Sequence, residues 1–436
     1  MKAVILAGGA GKRLHPVTRR RPKPMIPIAN RPILEYILES VAEAGIDEIV
    51  LVVGYERDRI QTYFGDGDDW GVSIEYVIQE KQLGTAHAVA QAESHIDSSF
   101  LVLNGDCIID SSVVSSVQES VIDGETPHAL AVTRVARPEL YSGVTTADRL
   151  VRTIETDTQQ DTDTELVNAG VYRFSTDVFD AIRDTDPSRN GEYELPSTVT
   201  QLIATDGVQA VPYDGPWHDV TNLWDLLPVT DVVLDRIDDP VSGAVADGAQ
   251  VDARSVLAPT ASVGQSAVIG PNSTVGENAH VEPNATIKNS VVFPDASIEA
   301  GAVIKDSIIG AGATVGANTT IRGGTSTITI RGTIHDDVRL GAVVGDNTEV
   351  GGGVVLSTGT IIGNAATIGD GCTVSGRIGG GETVWRGEYV WNHRIYRRSS
   401  RAAAPLDRAG QSGVPRIRLS GNSTHWQRPL GVQKIG

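Results

Sequence analysis

The chain is poor in cysteine and in aromatic side chains, and each shortage excludes a class of protein. Its 436 residues include two cysteines, Cys107 and Cys372, which exclude a disulfide framework and a cysteine-rich metal site. Aromatic residues make up 5% of the chain, but 40% of all residues are hydrophobic. That content is enough to fill two buried cores at this length. We therefore expect a two-domain globular protein without covalent crosslinks.

Lysine and long apolar runs are also scarce. Seven of the 36 basic residues are lysines, and 55 acidic residues bring the formal net charge to −19. Such a surface is typical of proteins from salt-accumulating archaea, where counterions screen the self-repulsion, although ordinary solubility is the simpler alternative. The acidic charge disfavours nucleic acid as a partner. With no 18-residue apolar run and no signal-like leader, we expect a cytoplasmic protein without membrane contact.

Residues 1–236 alternate strand-like and helical segments. The runs "AVILAG", "EIVLVVG" and "FLVLNGD" are typical of buried strands. Between the first two, "RPILEYILESVAEAG" places Ile33, Ile37 and Val41 on one helical face and Gly45 at its end. This alternation predicts a mostly parallel sheet with helices on both faces, an α/β Rossmann-like domain.

A different pattern begins at Val245, where an aliphatic residue recurs every six positions. A period of six fits neither a helix face nor an alternating strand, but it fits a left-handed parallel β-helix with three hexapeptides per turn. We assign this domain to residues 241–384, with slips at "IKNSVV" and "IKDSII" and a loop near "GGTSTITIRGTIHDD". The first in-phase run is Val245, Val251, Leu257, Val263, Ile269, Val275, Val281 and Ile287, and the last begins Val338, Val344 and Val350.

The final segment, residues 385–436, reverses the charge of the chain, with ten basic residues against two acidic ones. Three interpretations remain open. It is an arm that packs on the acidic body or on a neighbouring subunit, an arm that binds an anion, or a tail with no chemical role.

The most informative stretch is "LAGGAGKRLHPVTRRRPKPM", in which the first strand runs into Gly8, Gly9 and Gly11. Backbone N–H groups after such a strand can face a phosphate, and glycine permits its close approach. Neither the dinucleotide fingerprint nor the Walker A pattern is complete here. Several basic side chains close to this loop carry the positive charge that binding of a polyphosphate requires. The loop therefore predicts a phosphate-bearing ligand, and a nucleotide in particular.

The same stretch resembles the signature of the sugar-1-phosphate nucleotidyltransferases, LAGGxGxRLxPxTxxxPKPM. Further segments resemble the family's base-binding, metal-binding, sugar-binding and second metal-binding motifs: "VIQEKQLGTAHAV", "LNGDCII", "LVNAGVYRF" and "WHDVTNLWDLL". A hexapeptide-repeat domain is also common in the family. The resemblance implies synthesis of an NDP-sugar and pyrophosphate from UTP or dTTP and a hexose-1-phosphate, either glucose-1-phosphate or N-acetylglucosamine-1-phosphate.

The resemblance also implies roles for individual residues. Arg13 grips the departing pyrophosphate, and Lys23 bridges the attacking phosphate and the α-phosphate. Asp106 and Asp219 hold Mg²⁺, which prefers oxygen ligands. The implied nucleotide-binding residues are Leu6, Ala7, Gly8, Gly9, Gly11, Gln79, Gly84 and Thr85, with Gln79 reading uracil or thymine, and the implied sugar-binding residues are Gly143, Glu155 and Asn168.

One departure leaves the sugar open, because Thr156 stands where many family members have a lysine for the sugar phosphate. Two alternatives to a monofunctional enzyme also remain. One is a second, acetyl-transferring activity in the β-helix, although His280 and His335 lie outside the motif that this chemistry needs. The other is a regulatory paralogue that binds nucleotide sugars without catalysis. In either case the family resemblance implies a homo-oligomer acting on small-molecule substrates.

Overall fold

The computed structural model describes residues 1–120, 126–135, 137–155, 165–237, 242–330 and 332–386, and the backbone of strands Glu388–Trp391 and Arg394–Arg397. Thr156 and residues 398–436 lie outside the described residues, so the predictions made for that threonine and for most of the basic arm stay predictions.

The first domain is a nine-stranded mixed sheet with helices on both faces. The strands are β1 (Ala3–Ala7), β2 (Pro27–Ile28), β3 (Arg31–Pro32), β4 (Glu48–Val53), β5 (Ser73–Ile78), β6 (Phe100–Asn104), β7 (Cys107–Ile108), β8 (Ala129–Arg134), β9 (Val144–Ala147), β10 (Leu150–Ile154), β11 (Leu166–Phe174), β12 (Gln209–Tyr213) and β13 (His218–Asp219). The order of the nine-stranded sheet is β5-β4-β1-β6-β11-β8-β12-β10-β9, and β2–β3 and β7–β13 form two small separate pairs. The helices are α1 (Ile33–Glu43), α2 (Arg57–Phe64), α3 (Thr85–Gln91), α4 (Ser111–Glu119), α5 (Val178–Arg183), α6 (Leu195–Thr205) and α7 (Leu226–Leu234). Within the part of the chain that the structure describes, no helix combines the length and the hydropathy needed to cross a membrane.

The sheet is mixed, which differs from the mostly parallel sheet that we expected: its first half is one parallel block, and its second half contains a single parallel pair, β8–β12. Strands β5, β4, β1 and β6 run parallel, whereas β11 is antiparallel to both of its neighbours. No helix intervenes between β9 and β10, which are joined by Asp148 and Arg149, both with positive φ. Such two-residue turns join antiparallel strands. The helix-linked pattern therefore predicted the parallel block of β1, β4, β5 and β6 correctly, but it missed the antiparallel insertion of β11 and the β9–β10 hairpin.

The central strands divide the core of this domain into two layers. On β1, Ala3, Ile5 and Ala7 face one apolar cluster and Val4 faces the other, as the two-residue period of a strand requires. Helices α1, α4 and α7 cover the first face, and α3, α5 and α6 cover the second. The sheet is thus buried on both sides, and its carboxyl edge remains available for ligands.

The second domain is the predicted β-helix, with three flat faces of short parallel strands. Val245 pairs with Val263 and Val263 with Val281, so one turn takes three hexapeptides. The two sequence slips correspond to shorter turns, in which Val281 pairs with Ile298 and Ile298 with Val315. The first face contains Ala244–Val245, Ser262–Val263, His280–Val281, Ser297–Ile298, Thr314–Val315, Glu349–Val350, Thr367–Ile368 and Thr383–Val384; the second contains Gln250–Val251, Val268–Ile269, Thr286–Lys288, Val303–Lys305, Thr320–Ile321, Val355–Leu356 and Thr373–Val374; the third contains Ser255–Leu257, Ser273–Val275, Val291–Val292, Ile308–Ile309, Ala342–Val344, Thr360–Ile362 and Arg377–Ile378.

The break in the repeat is a β-hairpin, not a plain loop. Its strands, Thr325–Ile330 and Thr333–Arg339, pair antiparallel. Val338, which the six-residue phase placed in a β-helix coil, lies in this hairpin opposite Ser326. That assignment was wrong, because Val338 fits the phase by coincidence and is buried outside the β-helix core. The repeat resumes at Ala342–Val344.

The core of the first domain continues onto the third face of the β-helix. Five of the residues of that face that point outward are apolar and share one buried cluster with α1, α4 and α7, whereas Thr274 and Arg377 at equivalent positions are polar. Outward residues at matching positions of the first face include His280, Thr314 and Glu349. The two domains are therefore joined by a largely apolar interface on one face, and its apolar outward residues are Val256, Val291, Ile308, Val343 and Ile361.

Candidate active site

The candidate site forms where the central parallel strands end. Strands β1 and β6 are parallel neighbours, so the glycine loop after β1 and Asp106 after β6 lie at the same carboxyl edge, where open α/β sheets bind ligands. Gly105 makes this approach possible, because a Cβ there would lie 2.4 Å from the carbonyl oxygen of Leu6. Strand β13 pairs with β7, which places Asp219 opposite Cys107. Two carboxylates distant in sequence thus meet.

Lys23 lies between these carboxylates. Its Nζ is 2.6 Å from Asp106 Oδ2 and 3.4 Å from Asp219 Oδ1. Burial lowers the pKa of Lys23, but the two carboxylates outweigh it, so the pKa is raised and the ammonium stays charged. Burial likewise raises the pKa of Asp219, and Lys23 opposes that effect. The structure thus brings together three of the predicted residues in one partly buried, charge-paired cluster.

A short capping box holds the loop that carries Asp219, and sequence reasoning missed it. The Thr221 hydroxyl donates to Asp219 Oδ2. Asp225 Oδ2 accepts the backbone N–H groups of Thr221, at 3.1 Å, and of Asn222, at 2.6 Å. Burial raises the pKa of Asp225 to about 6, although the Asn222 N–H opposes the shift. The signal was present in the sequence as Asn222 followed three residues later by an acid.

Cys107 adds a sulfur atom to the same cluster. Its Sγ and the carboxylate oxygens of Asp106 and Asp219 lie within 4.8 Å of one another. Burial raises the pKa of the Cys107 thiol, and both carboxylates add to the effect. A thiol that stays protonated is a poor metal ligand, so the oxygen pair alone suits a hard cation such as Mg²⁺.

The glycine loop is shaped for close approach at two of its positions. Gly8 is buried, and a Cβ there would lie 2.7 Å from Gln79 Oε1. Gly11 has φ +57°, and its carbonyl accepts a hydrogen bond of 2.7 Å from the Thr18 hydroxyl. Gly9 has open space at the Cβ position, so this glycine meets no steric demand from the described chain. Leu6 and Ala7 lead into the loop at the end of β1.

Arg13 follows the loop in a single 3₁₀ turn, Lys12–Leu14. Its side chain is exposed, whereas Leu14 beside it is buried. The cation is therefore displayed next to the glycine loop, as its predicted contact with pyrophosphate requires, while the leucine anchors the turn.

The predicted base-reading residue, Gln79, is buried and already oriented by the protein. Its Nε2 donates to Gly84 O at 3.1 Å and lies 3.0 Å from His87 Nδ1. Burial lowers the pKa of His87, which favours the neutral ring as an acceptor. Sequence reasoning gave His87 no role, and its place in "GTAHAV" was the available signal. The other atom of the Gln79 amide, Oε1, faces Gly8 and is available to a ligand.

Gly84 and Thr85 have structural contacts of their own. Gly84 has φ +107°, and a Cβ there would lie 2.3 Å from Tyr193 O. Thr85 Oγ1 accepts the backbone N–H of Leu195 at 2.8 Å, which joins the start of α3 to the start of α6. These contacts explain why the fold itself requires a glycine and a threonine here, in addition to the ligand contacts that we predicted for both residues.

The three predicted sugar-binding residues also meet. The backbone N–H of Glu155 donates to Gly143 O at 2.9 Å, and Gly143 bridges to Val167, the neighbour of Asn168. Asn168 Nδ2 donates to the Tyr172 hydroxyl at 2.7 Å, and its Oδ1 accepts the Gly170 N–H at 2.9 Å. The side chain of Asn168 is thus fixed in place by a bulge in β11.

Two aromatic side chains that sequence reasoning missed, Tyr141 and Trp217, come two residues before Gly143 and two residues before Asp219 in the chain. Tyr141 and Trp217 pack edge to face with ring centroids 5.0 Å apart. Trp217 Nε1 donates to Ala169 O, next to Asn168. Burial raises the pKa of Tyr141, and Asp219 adds to it, so the ring lies near the charged cluster. The site therefore has a charged end and an aromatic end.

Comparison with known families matches both domains. The model described as nucleotidyl transferase matches residues 2–236, and the model described as GMPPB C-terminal domain matches residues 251–340. The bifunctional protein GlmU of Methanococcus maripaludis is 37% identical over 253 residues, which cover 58% of this chain and 59% of that protein. The chain thus spans less than two thirds of the length of that relative.

Two further relatives are matched over more of their length. The low-salt glycan biosynthesis nucleotidyltransferase Agl11 of Haloferax volcanii is 37% identical, over 58% of this chain and 72% of that protein. The glucose-1-phosphate thymidylyltransferase of Streptomyces antibioticus is 35% identical, over 56% of this chain and 69% of that protein. With a family model over more than half of its length, this chain belongs to the nucleotidyl transferase family.

Proposed function

We propose that the protein joins a nucleoside triphosphate to a hexose-1-phosphate, giving an NDP-sugar and pyrophosphate. The observation that carries this proposal is the partly buried cluster of Lys23, Asp106 and Asp219 beside the glycine loop. The reaction brings two anions together, so the protein must mainly align them and stabilise the developing charge. A partly buried cation flanked by two carboxylates and backbone amides supplies those means.

Lys23 has the central task in this proposal. Its ammonium bridges the sugar phosphate and the α-phosphate as the sugar phosphate oxygen attacks and pyrophosphate leaves. In this structure Asp106 and Asp219 pair with that ammonium, so phosphate oxygens must replace them when substrates bind. Arg13, which is exposed beside the glycine loop, is placed to hold the pyrophosphate.

Asp106 and Asp219 fit a magnesium ion. Both carboxylates converge, and Mg²⁺ takes one or two carboxylates together with substrate phosphates and water. When bound, the ion supplies charge neutralisation for the triphosphate. Thr221 and Asp225 keep Asp219 in position for that role.

Gln79 accounts for the proposed choice of uracil or thymine. Its Nε2 is occupied by Gly84 and His87, so Oε1 acts as an acceptor. The N3–H of uracil or thymine can donate to it, whereas cytosine has an acceptor at N3. We therefore expect UTP and dTTP to be used and CTP to be rejected. Gly143, Glu155 and Asn168 would bind the sugar, against the wall formed by Tyr141 and Trp217.

The test crosses four nucleotides, UTP, dTTP, GTP and CTP, with glucose-1-phosphate, N-acetylglucosamine-1-phosphate and mannose-1-phosphate. Pyrophosphate release is measured with Mg²⁺ in molar KCl, because we also propose that the acidic surface is adapted to salt. At least one pairing with UTP or dTTP should release pyrophosphate. If folded protein releases none in any pairing, the catalytic proposal fails and the regulatory alternative gains support.

The acetyl-transfer alternative has its own discriminating test. His280 is hydrogen-bonded to Ser262 at 2.7 Å, and His335 packs against Trp224. Neither contact favours an acetyl-transfer site, so we propose one activity in the chain. A melting temperature raised by acetyl-coenzyme A would contradict that. The homo-oligomer, the cytoplasmic compartment and the domain limits 1–236, 241–384 and 385–436 stay predictions.

A further inference from the structure

The loop that carries Lys23 is attached to the β-helix two residues earlier, at Arg21. Nη2 of Arg21 lies 3.0 Å from both carboxylate oxygens of Asp346, 325 residues away in the chain. The guanidinium also lies over the ring of Phe293, 4.6 Å from its centroid. Arg21 is 8% exposed and Asp346 is 3% exposed. The signature loop and the β-helix thus share a buried ion pair.

The β-helix holds its side of this pair rigidly. Oδ1 of Asp346 accepts the backbone N–H of Ala311 at 2.9 Å, and the backbone N–H of Asp346 donates to Asn364 Oδ1 at 3.0 Å. Ala311 and Asn364 belong to the turns before and after it in the stack. Asp346 therefore cannot follow a movement of Arg21 without disturbing three successive turns.

The path from Arg21 to Lys23 is short and stiff. Pro22 and Pro24 flank Lys23 and restrict the backbone on either side of it. Beyond them, Asn30 Nδ2 donates to Val275 O, which is again in the β-helix, at 3.0 Å. Lys23 is thus carried on a segment fixed to the β-helix at both ends, so a shift at Arg21 is passed on to the ammonium.

We propose that the Arg21–Asp346 ion pair positions Lys23, and that the β-helix thereby sets the rate of the reaction in the cleft. Arg21 and Asp346 are positioning residues, since they act through Lys23 and do not touch the reacting groups. Buried ion pairs commonly contribute little net stability compared with apolar packing, so positional specificity is the better account of this pair. The inference rests on the proposed function, because it concerns the proposed task of Lys23.

The experiment compares Asp346→Asn with Asp370→Asn. Asparagine keeps the shape of Asp346 and can still accept the Ala311 N–H, but it loses the charge opposite Arg21. Asp370 is an exposed corner residue whose Oδ1 accepts the Gly352 N–H at 2.8 Å, so its variant is a matched control. A displacement of 1 Å can reduce rates by about a hundredfold. We expect Asp346→Asn to lower kcat about tenfold with KM for the nucleotide changed less than about twofold, while Asp370→Asn keeps the wild-type kcat.

Two further variants separate positioning from stability. Asp346→Asn leaves Arg21 buried without its counter-charge, which is destabilising. The double variant Arg21→Gln/Asp346→Asn removes both charges and should regain melting temperature while kcat stays low. Asp346→Glu keeps the charge and should recover most of kcat. If the double variant recovers kcat together with stability, or if Asp346→Asn matches Asp370→Asn, the positioning role is refuted.

A readout that needs no turnover separates this inference from the proposed function. Amide hydrogen exchange over residues 15–26 should be at least about threefold faster in Asp346→Asn than in the wild type and in Asp370→Asn. If the wild type turns over no substrate pairing, the proposed function fails, but the exchange comparison still applies. Unchanged exchange in Asp346→Asn would overturn the inference whether or not the enzyme is active.

Discussion

The cleft of the first domain and two surface corners of the β-helix use aspartate in opposite ways. In the cleft, Asp106 and Asp219 converge on Lys23 and are partly withdrawn from water. In the β-helix, Asp252 and Asp370 stand apart on the surface, and each accepts a backbone N–H. Grouping buried charges costs stability and is maintained where chemistry requires it, whereas a lone exposed carboxylate stabilises a turn. We therefore expect the two cleft aspartates to matter for the reaction, and Asp252 and Asp370 to matter only for local structure.

The largest expected effect compares these two kinds of aspartate directly. Asp219→Asn should reduce pyrophosphate release by about a thousandfold, because the site loses charge where substrate phosphates and metal meet. Asp252→Asn, which keeps an acceptor for the Arg254 N–H, should leave the rate unchanged. Steady-state assays of both variants in molar KCl make the comparison. Equal rates for the two would remove the distinction between cleft and corner.

The next effect concerns the cation of the cleft. Lys23→Met should lower the rate by about a hundredfold and should also lower the melting temperature, because two converging carboxylates lose their counter-charge. Magnesium should then raise the melting temperature of the variant more than that of the wild type, since it can replace the missing charge. Calorimetry with and without Mg²⁺ measures this difference. An equal response of both proteins would argue against a metal site at Asp106 and Asp219.

The covered and open faces of the β-helix give a smaller contrast. Val291 on the covered face is buried against the first domain, whereas Val303 on the second face is half-buried. Val291→Thr should cost about 1 to 2 kcal/mol of unfolding free energy, because its hydroxyl is buried in an apolar interface. Val303→Thr should cost less than about 0.5 kcal/mol. Denaturant unfolding checks both, and similar losses would contradict a one-sided interface.

Two histidines give the smallest contrast, which concerns how the free energy of unfolding depends on pH. His128 is 1% exposed, packs against Phe174, and has no hydrogen-bond partner for either ring nitrogen among the described residues. Burial lowers the pKa of His128. Below the ordinary histidine pKa, the unfolded chain takes up a proton that the folded chain refuses, so stability falls as pH decreases.

The matched variants are His128→Phe and His280→Phe. The first should flatten the pH dependence of unfolding below about pH 6.5 by up to about 1 kcal/mol per pH unit. His280 is exposed in the β-helix, and its variant should keep the wild-type profile. Unfolding curves between pH 5 and pH 8 measure both, and an unchanged profile in His128→Phe would assign the acid sensitivity to other groups.

Much of the site could be predicted because its residues lie in local motifs. The glycine loop, Lys23 and the strand-end Asp106 are read within short segments, and the six-residue period identifies the β-helix from its inward side chains. The positions that point outward from the β-helix contain further information, which the six-residue period of the inward side chains does not include. The doublets Val291–Val292 and Ile308–Ile309 pair an inward with an outward aliphatic residue and so mark the face that the first domain covers.

Contacts between residues far apart in the chain could not be predicted from local sequence patterns. Arg21 occupies a variable position of the signature, and nothing near it in the sequence points to Asp346, which it meets through the stacking of the β-helix. The antiparallel insertion of β11 likewise depends on turns and sheet order and not on strand composition. Val338 shows the opposite kind of error. It matches the six-residue period of the β-helix but belongs to the hairpin.

Phosphorus NMR of a single reaction tests the central claim, that the cleft transfers a nucleotidyl group, most directly. The wild type and Asp219→Asn are each incubated with Mg²⁺, one pyrimidine nucleotide, UTP or dTTP, and one sugar-1-phosphate in molar KCl. The account predicts that pyrophosphate and an NDP-sugar appear in equal amounts with the wild type and are absent with the variant. Nucleoside monophosphate in place of NDP-sugar, or full activity in Asp219→Asn, would contradict it.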